Sequence, residues 1–414
     1  MTIAGSKQYS RECVTCHHKE YYDFPKIKKK IVYLDQFVIS NLVILLDTSH
    51  PRHKIIKGDP FWHELFNKLE VAIKSQVIVC PDSFYHRDES STGKIDFELM
   101  RRIYEHFSNG KTLEPSLVIQ NRQIIHHFKS WVIQKKSKFI LDPEEIGFGE
   151  SLHDWATGLR VSVGGKPRPD QIESLRANNA LAKEQLDKIW LKWKSEKDVG
   201  FIEKVRGEVL ALGKGIVGAA QNFYDRRTTA ISRMASGEHY DLDLDDIIPP
   251  MTNDLLDDMY RVLSTQNIIG SEATKKIALY FTDINSLLEV PILKISSVMY
   301  AGLARNAGLG TKEPPKSMVD VNFISSYLPY CDALFIDIKS ALLLIELPTD
   351  TPANMRLDEY KAKIFTKQNR GDFLLYLDQL VADIPADQKE ILEDLGKGET
   401  EPYWSIIENE KNNR

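Results

Sequence analysis

Ile31-Val32-Tyr33-Leu34-Asp35 and Ala333-Leu334-Phe335-Ile336-Asp337 share one pattern, an apolar run closed by an aspartate. An apolar run without polar alternation is covered on both faces, so each predicts a strand inside a parallel sheet. The aspartate then falls at the carboxyl end of the strand, where open α/β sheets build their sites.

The surroundings extend this reading. The run over 37–46 is nearly all apolar, with Ser40 and Asn41 inside it, and predicts a buried helix. Pro60 opens another helix to about Ser75, with Phe61, Leu65, Leu69 and Ala72 on one face. Gln76-Val77-Ile78-Val79-Cys80 is a second buried strand, stopped by Pro81. Strand, helix, strand is the βαβ order of an α/β fold. The order returns late in the chain. A helix is expected over 318–327, another over 339–346, a strand at Ala362-Lys363-Ile364-Phe365-Thr366 and a helix over 371–381.

Between 83 and 309 apolar residues recur only at helical spacing, around 95–107, 124–133, 175–193, 202–233, 255–262 and 273–303. Breakers are Gly164-Gly165-Lys166-Pro167-Arg168-Pro169, the acidic run 241–246 followed by Ile248-Pro249-Pro250, and the loop 308–315. The expected organisation is a polar N-terminal arm (1–28), a first core part (29–110), a helical insertion (111–316), a second core part (317–382) and a C-terminal tail (383–414). In the tail, Trp404, Ile406 and Ile407 are the residues able to dock. The fold class is α/β, a parallel sheet flanked by helices and interrupted by a large, mostly α-helical insertion.

Composition narrows the function. The 414 residues carry 54 Lys plus Arg against 59 Asp plus Glu, a net charge of −5. That excludes a wholly basic nucleic-acid surface and leaves room for a local basic groove. No apolar run approaches the roughly 18 residues of a membrane span, and the first residues have no signal-peptide core. Four cysteines are too few for a disulfide scaffold, which points to the reducing cytoplasm. Cys13-x-x-Cys16-His17-His18 invites a zinc reading, but no second pair closes the site. Cys80 and Cys331 sit in apolar runs, and the two histidines adjoin Cys16. An exposed polar arm is the preferred reading.

Four carboxylates can converge: Asp35 and Asp337 at strand ends, Glu89 just past the second strand, and Asp320 opening a helix. Such a cluster repels itself and needs a divalent ion, and oxygen-only ligands favour Mg²⁺ or Mn²⁺ over zinc. A metal so held activates water for phosphodiester cleavage. The competing reading is that each acid caps a helix or faces solvent.

At these residues the chain resembles the PIN-domain nucleases. Tyr33-Leu34-Asp35-Gln36 looks like their first motif, and the stretch from Val79 through Asp82, Ser83, Asp88 and Glu89 like their second. The strongest match runs from Asp320 through Leu328-Pro329-Tyr330-Cys331-Asp332 to Asp337, similar to the third and fourth acids in longer bacterial members. The stretch 362–380 looks like the closing strand and helix. The resemblance covers roughly 29–110 and 317–382. It departs at Gln36, where the family carries a Thr-Asn or Ser-Asn pair. The second acid is open between Asp82, Asp88 and Glu89. Glu89 is chosen because it lies about two turns into the helix opened by Ser83. Asp332 is assigned a supporting place, in a coupling or cap role or as a metal contact.

The resemblance implies a PIN-like sheet and a Mg²⁺- or Mn²⁺-dependent nuclease, with RNA ahead of DNA as substrate. Catalytic and metal-binding roles fall on Asp35, Glu89, Asp320 and Asp337. It also implies a regulated effector, in bacterial defence or a toxin-like system, with a homo-oligomer or a regulatory protein as partner. The rivals are a catalytically degenerate PIN-like binding or scaffold protein and a phosphatase-type enzyme using the same acids.

Other signals have plainer readings. Gly213-x-Gly215-x-x-Gly218 follows no strand, so close helix packing is expected. Asp241-x-Asp243-x-Asp245 lacks the glycine of a calcium loop. His126 and His127 face different ways on one helix. His86 is either a phosphate contact or a hydrogen-bonded neighbour of the site. Trp190 and Trp193 with Lys188, Lys192 and Lys194, and Phe128 and Trp131 with Lys129, Lys135, Lys136 and Lys138, are base-stacking candidates or core residues beside solvated lysines. Arg226, Arg227 and Arg233 are a similar basic group.

Overall fold

The computed structural model describes residues 2–3, 7–93, 95–149, 151–155, 168–237, 248–310 and 318–396. At the amino end β1 (Thr2–Ile3), β2 (Gln8–Glu12) and β3 (Lys19–Asp23) form an antiparallel sheet. The central sheet is built from β4 (Lys30–Leu34), β5 (Ile78–Val79), β6 (Ala333–Phe335) and β7 (Lys363–Phe365), in the order β5-β4-β6-β7 with every pair parallel. Strands from the two ends of the chain lie side by side, with Val32 against Ala333 and Leu34 against Phe335.

Helices cover this sheet. In chain order they are α1 (Gln36–Leu46), α2 (His53–Lys57), α3 (Pro60–Lys74), α4 (Phe84–Thr92), α5 (Phe97–Ser108), α6 (Ser116–Val132), α7 (Pro169–Ser195) and α8 (Phe201–Ala235). They continue as α9 (Met251–Ser264), α10 (Gly270–Tyr280), α11 (Ile284–Leu287), α12 (Pro291–Gly308), α13 (Val319–Tyr327), α14 (Ile338–Ile345), α15 (Arg370–Ala382) and α16 (Ala386–Gly396). The fold is mixed α/β, a parallel sheet flanked by helices.

Strand alternation deals the apolar residues to two cores. Val32, Leu34, Ile78, Ala333, Phe335 and Phe365 pack with α1, α3, α5 and α15. Ile31, Tyr33, Val79, Leu334 and Ile336 pack with the helices between 116 and 327. Both faces are dry, which is why the strand sequences show no polar alternation. The stretch 111–316 thus supplies the layer on one face of the sheet. Without it Ile31, Val79 and Leu334 would lose cover, at about 1.5–3 kcal/mol for each large side chain.

Local sequence explains the switches from strand to helix. Asp35 and Asp59 accept from the backbone N–H two residues on and cap α1 and α3, and Pro60 takes the first helical position of α3. Gly213 is where α8 passes closest to its neighbour: a Cβ there would meet the Phe281 carbonyl oxygen at 2.8 Å. Close packing is therefore what the first glycine of Gly213-x-Gly215-x-x-Gly218 does.

Two terminal expectations are corrected. The N-terminal stretch expected as an exposed polar arm carries β2 and β3. Tyr9, Tyr22, Phe24 and Ile27 form a small apolar cluster with Trp155, Ile391 and Leu392. The tail from 383 also carries α16, on which Gln388 donates to the Ser75 carbonyl at 2.7 Å and Glu390 pairs with Arg11 at 3.1 Å. The sequence signal was weak because each part buries only a few apolar residues, and only against the other. The acidic run 241–246, Gly164–Pro167, the loop residues 311–315 and Trp404, Ile406 and Ile407 lie outside the described residues. No described helix is long and apolar enough to cross a membrane.

Candidate active site

Asp35 follows β4 and Asp337 follows β6, and the two strands are parallel neighbours. Both carboxylates therefore stand at one edge of the sheet. Each also caps a helix. Asp35 Oδ1 accepts from Phe37 N–H at 3.4 Å. Asp337 Oδ1 accepts from Lys339 N–H at 2.8 Å and Ser340 N–H at 3.2 Å. Among the described residues neither Oδ2 accepts a hydrogen bond. Capping and a place in the site are thus compatible, with one oxygen for each. The positive ends of α1 and α14 offset part of the negative charge.

Asp320 lies in the first turn of α13 and Glu89 midway along α4. Their charges reach the strand-end acids. Burial raises the Asp35 carboxyl well above its ordinary range, and the charges of Asp320, Glu89 and Asp337 add to the rise. Burial, then Asp337, lifts Asp320 to about 6. Burial, then Asp320 and Asp88, lifts Glu89 to about 7. Asp35 is buried at the floor, while Asp320, Asp337 and Glu89 are half-buried at the rim.

An aromatic stack underlies these acids. The His86 ring lies between Tyr33 and Tyr104, at 4.9 and 4.6 Å, and Tyr33 stacks on Phe323 at 4.9 Å. Tyr33 is two residues before Asp35, His86 three before Glu89, and Phe323 three after Asp320. The stack ties the elements that carry three of the acids, each ring pair contributing about 0.5–1.5 kcal/mol beyond its buried area. Gln36 adds a polar tie. It donates to Ser90 Oγ at 3.2 Å and accepts from the Tyr104 hydroxyl. Sequence reasoning missed Tyr104 and the role of Gln36. The one available signal was an amide directly after the strand-end acid.

Asp332 is not with the others. It precedes β6, accepts from Lys30 Nζ at 2.8 Å and from Ile31 N–H at 2.9 Å, and so sits at the amino edge of the sheet. A strand of β4's length carries it about 13 Å from the carboxyl edge. The metal contact expected of it is withdrawn: it clamps β4 to β6. Asp82 is also committed elsewhere, to Arg87 Nε at 2.7 Å and Ser83 N–H at 2.7 Å. Burial would raise its carboxyl, but His86 and Arg87 hold it below the usual range. Asp88 is exposed on α4. Glu89 is the acid of this region whose charge acts on Asp35.

His86 is not the hydrogen-bonded neighbour that was one of its two readings. It is buried, neither ring nitrogen has a hydrogen bond, and Nδ1 stands 3.6 Å from Asp82. The proposed base-stacking aromatics are core. Trp190 and Trp193 are buried, Trp193 donates to Glu208 at 3.2 Å, and Trp131 donates to Asp283 at 3.3 Å. His127 binds the Tyr280 hydroxyl and Glu289, while His126 turns to the Lys138 carbonyl. Two exposed lysines do flank the carboxyl edge. Lys339 is in the first turn of α14, and Lys367 lies 5.2 Å from the ring of Phe37.

Among the described residues no three His, Cys, Asp or Glu side chains are arranged to hold a metal ion. The four acids fit a hard divalent ion in kind, being oxygen donors, and burial followed by neighbouring negative charge raises the carboxyls of Asp35, Glu89 and Asp320. Their spacing is open. No protein-family model matches the chain, and neither the curated proteins nor the solved structures gave a match.

Proposed function

We propose that the protein is a divalent-metal-dependent nuclease with a PIN-like core, acting on RNA ahead of DNA. One observation carries the reading: at the carboxyl edge of the sheet, the buried Asp35 carboxyl feels the charges of Asp320, Glu89 and Asp337, three acids from separate stretches of the chain. A buried, self-repelling carboxylate cluster costs stability, and such clusters concentrate at functional sites.

Asp35, Asp320, Asp337 and Glu89 would hold Mg²⁺ or Mn²⁺. When bound, the ion supplies the charge that acidifies a water and stabilises the leaving oxygen of a phosphodiester. The chain's own contribution is placement. Helix capping fixes the Asp35 and Asp337 side chains, and the Tyr104–His86–Tyr33–Phe323 stack sets the spacing of the elements behind them. Lys339 and Lys367 favour approach of a polyanion to a protein of net charge −5. A role as an effector in defence or a toxin-like system, in the cytoplasm and with a regulatory partner, belongs to the same proposal and rests on the resemblance.

A second reading, a PIN-like binding or scaffold protein without catalysis, draws on the open spacing of the four acids. The deciding experiment incubates the folded chain with labelled RNA, single-stranded DNA and a phosphatase substrate, with Mn²⁺, Mg²⁺ or EDTA. Cleavage of nucleic acid that needs the ion and is lost in Asp35→Asn is the expected result. No cleavage under any condition would leave the scaffold reading, and turnover of the small phosphoester alone would point to a phosphatase.

A further inference from the structure

The Cys13–Cys16 pair plays no part in the site described above. It occupies the turn between β2 and β3, a hairpin that projects both cysteines into solvent. The turn has a fixed shape. Cys13 N–H donates to the His18 carbonyl at 2.9 Å, and His17 N–H donates back to the Cys13 carbonyl at 2.9 Å. His17 takes a left-handed backbone, φ 56°, which turns the chain after Cys16. Backbone N–H groups of Cys16 and Thr15 donate to the Cys13 sulfur. The thiolate is the form that binds a metal.

Two thiolates make half of a closed tetrahedral zinc site. The remaining cysteines cannot complete it, because Cys80 and Cys331 are buried in the sheet cores. His17 Nδ1 is engaged by Glu12 at 2.9 Å. The hairpin tip is exposed, with Val14 93% accessible, so a second tip can approach it.

We infer that the Cys13-x-x-Cys16 turn is a zinc half-site, completed by the same turn of a second copy of this chain. Four thiolates from two hairpins would close one tetrahedral ion and join two protomers tip to tip. Each hairpin is held to its own protomer by the Tyr9, Trp155 and Ile391 cluster, so the link connects whole molecules.

The test uses the full chain, reduced and freed of metal, titrated with Co²⁺ and then Zn²⁺. Mass is followed by light scattering. The expected result is a sulfur-to-cobalt charge-transfer band, which the carboxylate site cannot give, saturating at one thiolate-bound ion per two chains. The dimer should form with zinc and be lost with EDTA. Cys13→Ser/Cys16→Ser should lose band and dimer while keeping the wild-type melting profile without metal. Asp35→Asn should keep both. Charge transfer at one ion per chain without a change in mass would overturn the inference, as would absence of the band. A dimer that persists in the double serine variant would overturn it too.

Discussion

Gln36 Nε2 and Ser90 Oγ stand 3.2 Å apart, and each residue directly follows an acid of the site. The bond therefore couples the backbone that carries Asp35 to the helix that carries Glu89. Gln36 also accepts from the buried Tyr104 hydroxyl, so one side chain joins α1, α4 and α5.

Gln36→Ala should leave the Tyr104 hydroxyl buried without its acceptor, costing about 1–3 kcal/mol of stability. It should also weaken Mn²⁺ binding by roughly 10–100-fold, the usual effect of losing a residue that orients ligands. Calorimetric Mn²⁺ titration at a temperature where the variant is fully folded measures the second effect separately. Unchanged affinity in a folded variant would mean the bond supports the fold alone.

Asp332→Ala separates the two edges of the sheet. The substitution removes a carboxylate that accepts from Lys30 and from Ile31 N–H across 301 residues of chain. Leaving the part-buried N–H of Ile31 unpaired should cost roughly 1–3 kcal/mol. Metal affinity and cleavage per folded molecule should match wild type. Denaturant melts beside single-turnover assays check both, and a folded Asp332→Ala protein that fails to bind Mn²⁺ would return Asp332 to the site.

The pH dependence of stability follows from the raised acids. Glu89 at about 7 and Asp320 at about 6 lie above ordinary carboxylates, so the native state holds protons that the unfolded state has released. The stability they contribute is fully present below about pH 4 and is lost as pH rises through about 6 to 7. Asp320→Asn removes one repelling charge. It should exceed wild type in stability by about 1–2 kcal/mol at pH 8 without metal, after allowance for solvent screening. The gap should shrink toward pH 4. Mn²⁺ at pH 8 should raise the wild-type melting temperature and leave Asp320→Asn nearly unmoved. Equal stability of the two proteins from pH 4 to pH 8 would mean the acids do not repel.

The strands were readable because burial on both faces writes itself into sequence: Ile31–Leu34 and Ala333–Ile336 have no other economical explanation. The acids at their ends followed from chain geometry. Asp332 stayed open between a coupling or cap role and a metal contact because sequence shows how close an acid lies to a strand, and the edge it faces depends on the neighbour. Here Lys30 and Ile31 of a strand from the other end of the chain claim it. The terminal sheet and α16 escaped for a related reason. Their few apolar residues, Tyr9 and Ile391 among them, become a cluster only when the two ends meet. In the sequence Tyr33 reads as a strand residue and His86 as a phosphate contact or a hydrogen-bonded neighbour of the site. Their stacking with Tyr104 and Phe323 is a product of the assembled layers.

Asp337→Asn is the sharpest test of catalysis. Asparagine keeps the size of aspartate and a side-chain oxygen, so it can still accept from Lys339 N–H and Ser340 N–H and cap α14. What it loses is one negative charge at the rim. Mg²⁺ gives up its water reluctantly and needs the full charge of its few carboxylates, so its affinity should fall at least tenfold. Cleavage should drop by two to three orders of magnitude, roughly 3–4 kcal/mol of transition-state stabilisation. Stability without metal should hold or rise, because the charge of Asp337 is among those that lift Asp35 and Asp320. Single-turnover cleavage, Mn²⁺ titration and thermal melting on one preparation read the three effects together. A folded Asp337→Asn protein cutting at the wild-type rate would reduce Asp337 to a helix cap and remove the catalytic assignment.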